Sequence, residues 1–82
     1  MSVRLDGGII RLEGDCRAED AETLVALVQA GPARTVELAA AGHLHAAVVQ
    51  VLLALRPPVT GPAGDPFVQA WLAPLFRQAA GG

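Results

Sequence analysis

Residues 34–56, RTVELAAAGHLHAAVVQVLLALR, decide the fold of this chain. Polar and apolar residues alternate over positions 35–38, which is the pattern of a half-buried β-strand. The strand breaks at Gly42, and the apolar residues that follow predict a helix from about Leu44 to Leu55, which ends before two prolines. A strand that leads into an apolar helix is typical of an α/β fold.

The predicted helix is apolar on more than one side. At about 100° per residue, its core side consists of Leu44, Val48, Val51, Leu52 and Leu55. Two further large apolar residues, Val49 and Leu53, fall outside that side. An apolar outer side indicates a partner, so we predict a binding module rather than an enzyme. The predicted partner-binding residues are Gly42, His43, His45, Ala46, Val49, Gln50 and Leu53.

The length and composition of the chain indicate one small domain. A chain of 82 residues buries roughly 60–65% of the surface that it exposes when unfolded. Apolar residues make up 52% of the chain, but the aromatic ones are only Phe67, Trp71 and Phe76, so we expect an aliphatic core. We predict a single domain over residues 1–78, a mixed sheet of about four strands with about three helices mainly on one face, and a disordered tail at residues 79–82.

The charges of the chain argue against binding to nucleic acid. The net charge is −2, and the six arginines are spread along a sequence that has no lysine. A protein that follows a phosphate backbone needs a cluster or stripe of basic residues, and the sequence has none.

Features that bear on the compartment point to the cytoplasm. Cys16 is the only cysteine, so no disulfide can form within the chain, which fits a reducing compartment. The N-terminal sequence lacks the apolar run of a signal peptide, and no apolar run reaches the roughly 20 residues that cross a bilayer. We therefore expect a cytoplasmic protein without direct membrane insertion.

The N-terminal third of the chain predicts a hairpin and a helix. Alternating residues on both sides of Gly7-Gly8 predict two antiparallel strands, of which Gly14-Asp15 closes the second. Helical spacing from about Ala18 to Ala30 predicts a helix that ends at a C′ glycine followed by proline, Gly31-Pro32. A helix between two strands suggests a parallel pair joined by a right-handed crossover.

An acidic stretch surrounds the start of this first helix. A solvated helix start explains it better than a pair of catalytic carboxylates, since so small a domain suggests no cleft. Asp15 and Asp20 are candidates to accept backbone N–H groups. The stretch consists of Glu13, Asp15, Glu19, Asp20 and Glu22.

The C-terminal third predicts an edge strand and a last helix. Val59-Thr60 lies between prolines, which restricts a strand there to a sheet edge. Asp65-Pro66 predicts an N-cap with proline in the first turn, and Pro74 is expected to kink or divide the helix. Two apolar rows share this helix, and either one row shields the other or one row, with Trp71 as anchor, forms an interface. The rows are Phe67, Trp71 and Leu75, and Val68, Leu72 and Phe76.

The element order and the segment VELAAAGHLHAAVVQVLLAL resemble the STAS domain, up to about Phe76. STAS domains form the anti-sigma-factor antagonists and small cytoplasmic subunits of bacterial lipid-transport ABC systems. Members usually carry an Asp-Leu-Ser strand, then Asp-Ser-Ser/Ala-Gly at the start of an apolar helix. Here Glu37-Leu38-Ala39 and His45-Ala46-Ala47-Val48 stand in those places.

The resemblance implies a docking surface without a phosphorylation switch. In partner-switching members a serine at the helix start is phosphorylated, but the corresponding Ala46 or Ala47 has no hydroxyl group. The implied docking surface is the loop and first helical turns near residues 42–49. The implied partner is an anti-sigma or kinase-like regulator, a transporter ATPase subunit or a second copy, and the chain is then a constitutive subunit or a diverged regulator.

Two alternatives to a hetero-partner remain open from the residues. His43 and His45, with Cys16 as a further donor, could form a small metal-binding or ligand-binding site, although zinc needs three or four ligands. Alternatively, Val49 and Leu53 could form the seam of a homodimer. We predict no catalytic residue, no metal and no cofactor, since Cys16 has no accompanying catalytic signature and no glycine motif fits nucleotide binding.

Overall fold

The computed structural model describes residues 2–31 and 33–76; Met1, Pro32 and residues 77–82, which include the predicted tail, lie outside the described residues. No helix in the described part of the chain is long and apolar enough to cross a membrane. In chain order, the elements are β1 (Val3–Asp6), β2 (Ile9–Leu12), β3 (Gly14–Cys16), α1 (Ala18–Ala30), β4 (Thr35–Glu37), β5 (Ala41–Leu44), α2 (Ala46–Leu55), β6 (Val59–Thr60) and α3, which is helical over residues 66–76 with a π-helical centre at Val68–Leu72.

The main sheet has the strand order β1-β2-β4-β6. β1 and β2 are antiparallel, whereas β4 pairs in parallel with both β2 and β6. In the hairpin loop Gly7 has a φ of +61°, a left-handed value that favours glycine, while Gly8 has no positive φ. The structure confirms the predicted mixed sheet of four strands, the hairpin, the parallel pair and the edge position of Val59-Thr60.

The two faces of the main sheet differ in chemistry. One face buries Ile10, Leu12 and Val36, which are all 0% exposed, beneath the helices. α1 contacts β1, β2 and α2 on this side. The opposite face carries the charged residues of β1, β2 and β4, because side chains alternate between faces along a strand. The fold is therefore a two-layer α/β domain with its helices mainly on one face, as predicted.

A second, two-stranded sheet of β3 and β5 was not predicted. The structure corrects the helix start, because residues Ala41–Leu44 form β5 and α2 begins at Ala46 rather than at about Leu44. β3 also shows that Gly14-Asp15 opens a further parallel strand instead of only closing the hairpin. Gly14 permits this change of direction with a φ of +65°.

The first helix has the predicted bounds, and a side chain caps its C-terminal end. At its start the carboxylate of Asp20 accepts a hydrogen bond from the backbone N–H of Arg17, at 2.7 Å. At its end Gly31 follows the last helical residue, as predicted, and its extended φ of −147° shows that it ends the helix without a left-handed conformation. A Cβ at Gly31 would overlap the side chain of Arg34, which donates to the Leu27 carbonyl at 2.7 Å. Gly31 thus leaves room for a cationic side chain that caps the helix.

The second helix is closed at both ends. His45 is the N-cap residue, and its Nδ1 accepts a hydrogen bond from the backbone N–H of Ala47 at 3.0 Å. At the other end Arg56 adopts a left-handed conformation, with φ 51° and ψ 49°, and its N–H donates to the Leu52 carbonyl. The helix therefore ends before Pro57, as predicted.

Candidate protein-binding surface

The third helix buries one of its two apolar rows and exposes the other. The buried row contains Val68, which is 1% exposed, and Phe76, which is 2% exposed, with Leu72 partly buried between them. The exposed row, here called the aromatic row, consists of Phe67, Trp71 and Leu75, which are 62%, 68% and 46% exposed. Three large apolar side chains on one exposed row are the feature that most distinguishes this surface.

The aromatic row lies on a helix whose start is held in place. The carboxylate of Asp65 accepts a hydrogen bond from the Val68 N–H at 3.0 Å, and the Asp65 carbonyl accepts from the Gln69 N–H at 2.9 Å. The side chain of Gln69 in turn accepts from the Ala63 N–H at 2.7 Å. The prediction that Asp65 caps this helix is confirmed. Pre-organised anchors lose little freedom on binding, which favours recognition.

The loop before α3 is anchored to the end of β4. The N–H of Gly64 donates to the Leu38 carbonyl at 3.2 Å. A Cβ at position 64 would overlap the carbonyl oxygen of Ala39. Because only glycine allows this approach of two backbone segments, position 64 helps to place α3 against the sheet.

Pro74 lies inside α3 without ending it. The preceding turn is widened, and the Ala73 N–H donates to the carbonyl of Val68, five residues earlier. A proline removes one backbone N–H and crowds the turn before it, and a π turn relieves both. The predicted disturbance therefore takes the form of a local widening, which leaves the exposed row continuous.

A pocket of about 180 Å³ lies between β5 and α3. Its walls are mainly apolar, and a histidine and a carboxylate supply the polar groups. The aromatic row borders the pocket, because Phe67 belongs to both. The lining residues are His43, Leu44, Asp65, Phe67, Val68 and Leu72.

The pocket wall on β5 is positioned by a carboxylate from β3. Oδ1 of Asp15 accepts a hydrogen bond from the backbone N–H of His43 at 3.1 Å. A Cβ at Gly42 would lie 2.8 Å from the same oxygen, so the glycine makes room for the carboxylate. The prediction that Asp15 or Asp20 caps backbone N–H groups at the start of α1 is confirmed for Asp20, whereas Asp15 accepts its hydrogen bond from β5. The side chain of His43 is exposed at the pocket rim.

The predicted residues of α2 are less exposed than the aromatic row. Val49 and Leu53 are half-buried and pack against the core, whereas Ala46 and Gln50 are exposed. The outermost positions of α2 therefore carry small or polar side chains. Of the predicted partner-binding residues, His43 alone lines the pocket beside α3; Gly42 adjoins it and His45 caps α2.

The residues considered for metal binding have other roles. Cys16 is 1% exposed, and burial, with smaller contributions from Asp20 and Asp15, raises the pKa of its thiol to about 11. His45 uses Nδ1 to cap α2. In residues 2–31 and 33–76, no three His, Cys, Asp or Glu side chains are grouped so that they could hold a metal ion.

The open face of the main sheet carries charges of both signs. Arg4 forms two hydrogen bonds to Glu13 at 3.0 Å each, and Arg11 contacts Asp6 at 3.1 Å and also Glu37. The hydrogen bond and the positive charge of Arg4 lower the pKa of Glu13. These arginines are neutralised by neighbouring carboxylates, so this face does not form the basic surface that a polyanion would require.

Comparison with protein-family models, with curated proteins and with solved structures finds no match for this chain. The assignment of function therefore depends on the chemistry and geometry of the surface itself. The sequence signal for the aromatic row was present in the spacing of residues 67, 71 and 75, but it did not distinguish this row from its buried neighbour.

Proposed function

We propose that this chain is a non-catalytic protein–protein interaction module that binds its partner through the aromatic row and the adjoining His43. The observation that carries the proposal is the exposure of Phe67, Trp71 and Leu75 on one side of a helix whose other row is buried. Tryptophan and other aromatic anchors dominate binding energy at protein interfaces.

The reactive side chains support a binding role rather than a catalytic one. The thiol of Cys16 is buried and its pKa is raised, which disfavours the nucleophilic thiolate. His45 is engaged in capping, and the carboxylates of Asp15 and Asp65 accept backbone hydrogen bonds. These groups serve local structure, and none forms a nucleophile–base pair.

We further propose that the module is a diverged STAS-type domain. The antiparallel hairpin, the parallel strands with intervening helices and the apolar helix that starts after His45 support this assignment. The partner would then be an anti-sigma or kinase-like regulator, a transporter ATPase subunit or a second copy of this chain, and the domain would act in the cytoplasm as a constitutive subunit or a diverged regulator. Ala46 and Ala47 leave no hydroxyl group for a phosphorylation switch.

The proposal is tested by affinity capture from cells of the natural source, followed by mass spectrometry. We expect a partner that binds the unchanged protein and is lost with Trp71→Asp. Gln50→Asp, which introduces the same charge at an exposed position of α2, is the matched control and should retain the partner. Loss with Gln50→Asp alone would instead place the site on α2.

Tryptophan fluorescence gives an independent measurement on the purified complex. Trp71 is the only tryptophan of the chain and is 68% exposed, so its emission reports directly on this surface. Binding at the aromatic row should move the emission to shorter wavelength as the indole ring leaves water. Binding without any change in emission would contradict the proposed surface.

A further inference from the structure

The uncharged character of the aromatic row points to one kind of partner. From residue 57 to residue 76 the sequence contains one charged side chain, Asp65, whose carboxylate already caps α3. A surface that selects its partner by charge normally carries charges complementary to those of the partner, and this segment carries almost none. A second copy of the same segment would meet no repulsion from α3. Homodimer interfaces are also the more apolar class.

The area of the aromatic row suits a two-fold contact. An aromatic side chain buries roughly 150–250 Å². At 62% and 68% exposure Phe67 and Trp71 offer roughly 200–325 Å², and Leu75, which is 46% exposed, adds to this. The two aromatic side chains thus supply roughly a quarter to two-fifths of the about 800 Å² that each partner contributes to a standard interface. The pocket wall beside the row, which includes His43 and Leu72, supplies further area.

The protruding side chain and the pocket lie next to each other on the same surface. Phe67 lines the pocket and lies one helical turn before Trp71 on the same row, so Trp71 projects beside the pocket. In a two-fold contact each copy presents the same patch, so a projection beside a depression is self-complementary.

We propose that a second copy of this chain covers the aromatic row, so that two α3 helices pair about a two-fold axis with each Trp71 against the pocket of the other copy. This inference names the partner at the surface assigned above and rests on the proposed function. A contact this small is typical of weak, transient association, so we expect a dissociation constant of tens of micromolar.

The test is sedimentation equilibrium of the purified chain from about 5 to about 500 μM, a range that brackets a dissociation constant of tens of micromolar. We expect the unchanged protein and Ala26→Asp, which introduces the same charge at an exposed position of α1, to pass from monomer to dimer over this range. Trp71→Asp should remain monomeric, with its dissociation constant raised at least about 100-fold, as for loss of an interface anchor. Circular dichroism of each variant shows that it is folded.

Dilution of ¹⁵N-labelled protein maps the contact in the same samples. The amide shifts that change with concentration should cluster at residues 67–75 and at His43 and Leu44. A protein that stays monomeric at 500 μM overturns the homodimer, and so does a dimer that survives Trp71→Asp. If the protein is monomeric but captures a different partner that Trp71→Asp abolishes, the proposed function stands without the dimer. If the protein neither dimerises nor captures a partner, both proposals fail.

Discussion

Asp15 and His43, which are distant in sequence, are joined by a hydrogen bond from the His43 N–H to Oδ1 of Asp15, at 3.1 Å. This bond crosses the small β3–β5 sheet, where the absence of a side chain at Gly42 leaves space for the carboxylate. Because His43 lines the pocket beside α3, the bond connects the start of the chain to the proposed interaction surface.

Removal of this hydrogen bond should destabilise the domain modestly. Asp15→Ala is expected to lower the free energy of unfolding by about 1 kcal/mol, the usual net contribution of such a bond. Gly42→Ala should also destabilise, since its Cβ would lie 2.8 Å from Oδ1 of Asp15.

The two substitutions should not be additive, because both act on the same oxygen atom. In the Asp15→Ala background, Gly42→Ala should cost clearly less than it does alone. Urea titrations of the four proteins in this cycle measure the coupling. Fully additive effects would show that the carboxylate does not occupy the space at Gly42.

Gly64→Ala is expected to destabilise the domain by more than about 2 kcal/mol, since overpacking against rigid backbone is costly. The added Cβ would overlap the Ala39 carbonyl oxygen and would lie 3.1 Å from its carbon. Thermal and urea unfolding measure the loss.

Gly8→Ala is the matched control for this substitution. A Cβ at Gly8 meets nothing within 4 Å, and the residue has no positive φ. Its unfolding free energy should change by less than about 1 kcal/mol, the size of an unstrained glycine-to-alanine effect. Equal losses at both positions would mean that the loop before α3 does not approach the end of β4 as described.

Truncation of two aromatic residues of α3 should change the stability of the domain by very different amounts. Phe76→Ala removes a side chain that is 2% exposed and should cost about 3–5 kcal/mol of stability. Trp71→Ala removes one that is 68% exposed and should change the stability of the monomer by less than about 0.5 kcal/mol. Urea unfolding at low protein concentration, followed by circular dichroism, compares the two. A large loss for Trp71→Ala would show that the aromatic row belongs to the core.

Cys16 should resist alkylation in the folded protein. Its pKa, raised by burial from 9.0 to about 11, reduces the thiolate fraction at pH 8 by about 100-fold relative to the unfolded chain. Labelling with iodoacetamide should therefore be slow in buffer and fast in denaturant, where unfolding exposes the thiol to water. Equal rates in the two conditions would contradict the buried position.

The same thiol has a consequence for stability at high pH. Between about pH 9 and pH 11 the folded state retains a proton that the unfolded state has lost. The contribution of Cys16 to stability is therefore complete below pH 9 and is lost as the pH rises through 11. Cys16→Ala should remove this part of the alkaline decline, which pH-dependent thermal unfolding measures.

Local sequence pattern was sufficient to predict several parts of the fold. Alternation around Gly7-Gly8 predicted the hairpin, and helical spacing predicted α1 at residues 18–30. Asp65 was predicted as a cap because a carboxylate before an apolar run meets free N–H groups at short range. These features arise from contacts between residues that are close in sequence.

Other features depend on pairing between residues that are distant in sequence, and local pattern could not predict them. Ala41–Leu44 has no β-branched residue, and it becomes a strand because β3 lies beside it. The two rows of α3 are similarly apolar, so the contacts of Val68 and Phe76 with the core decided which row is buried. The aromatic row is exposed for the same reason, since one helix on a small sheet can bury only one of its sides.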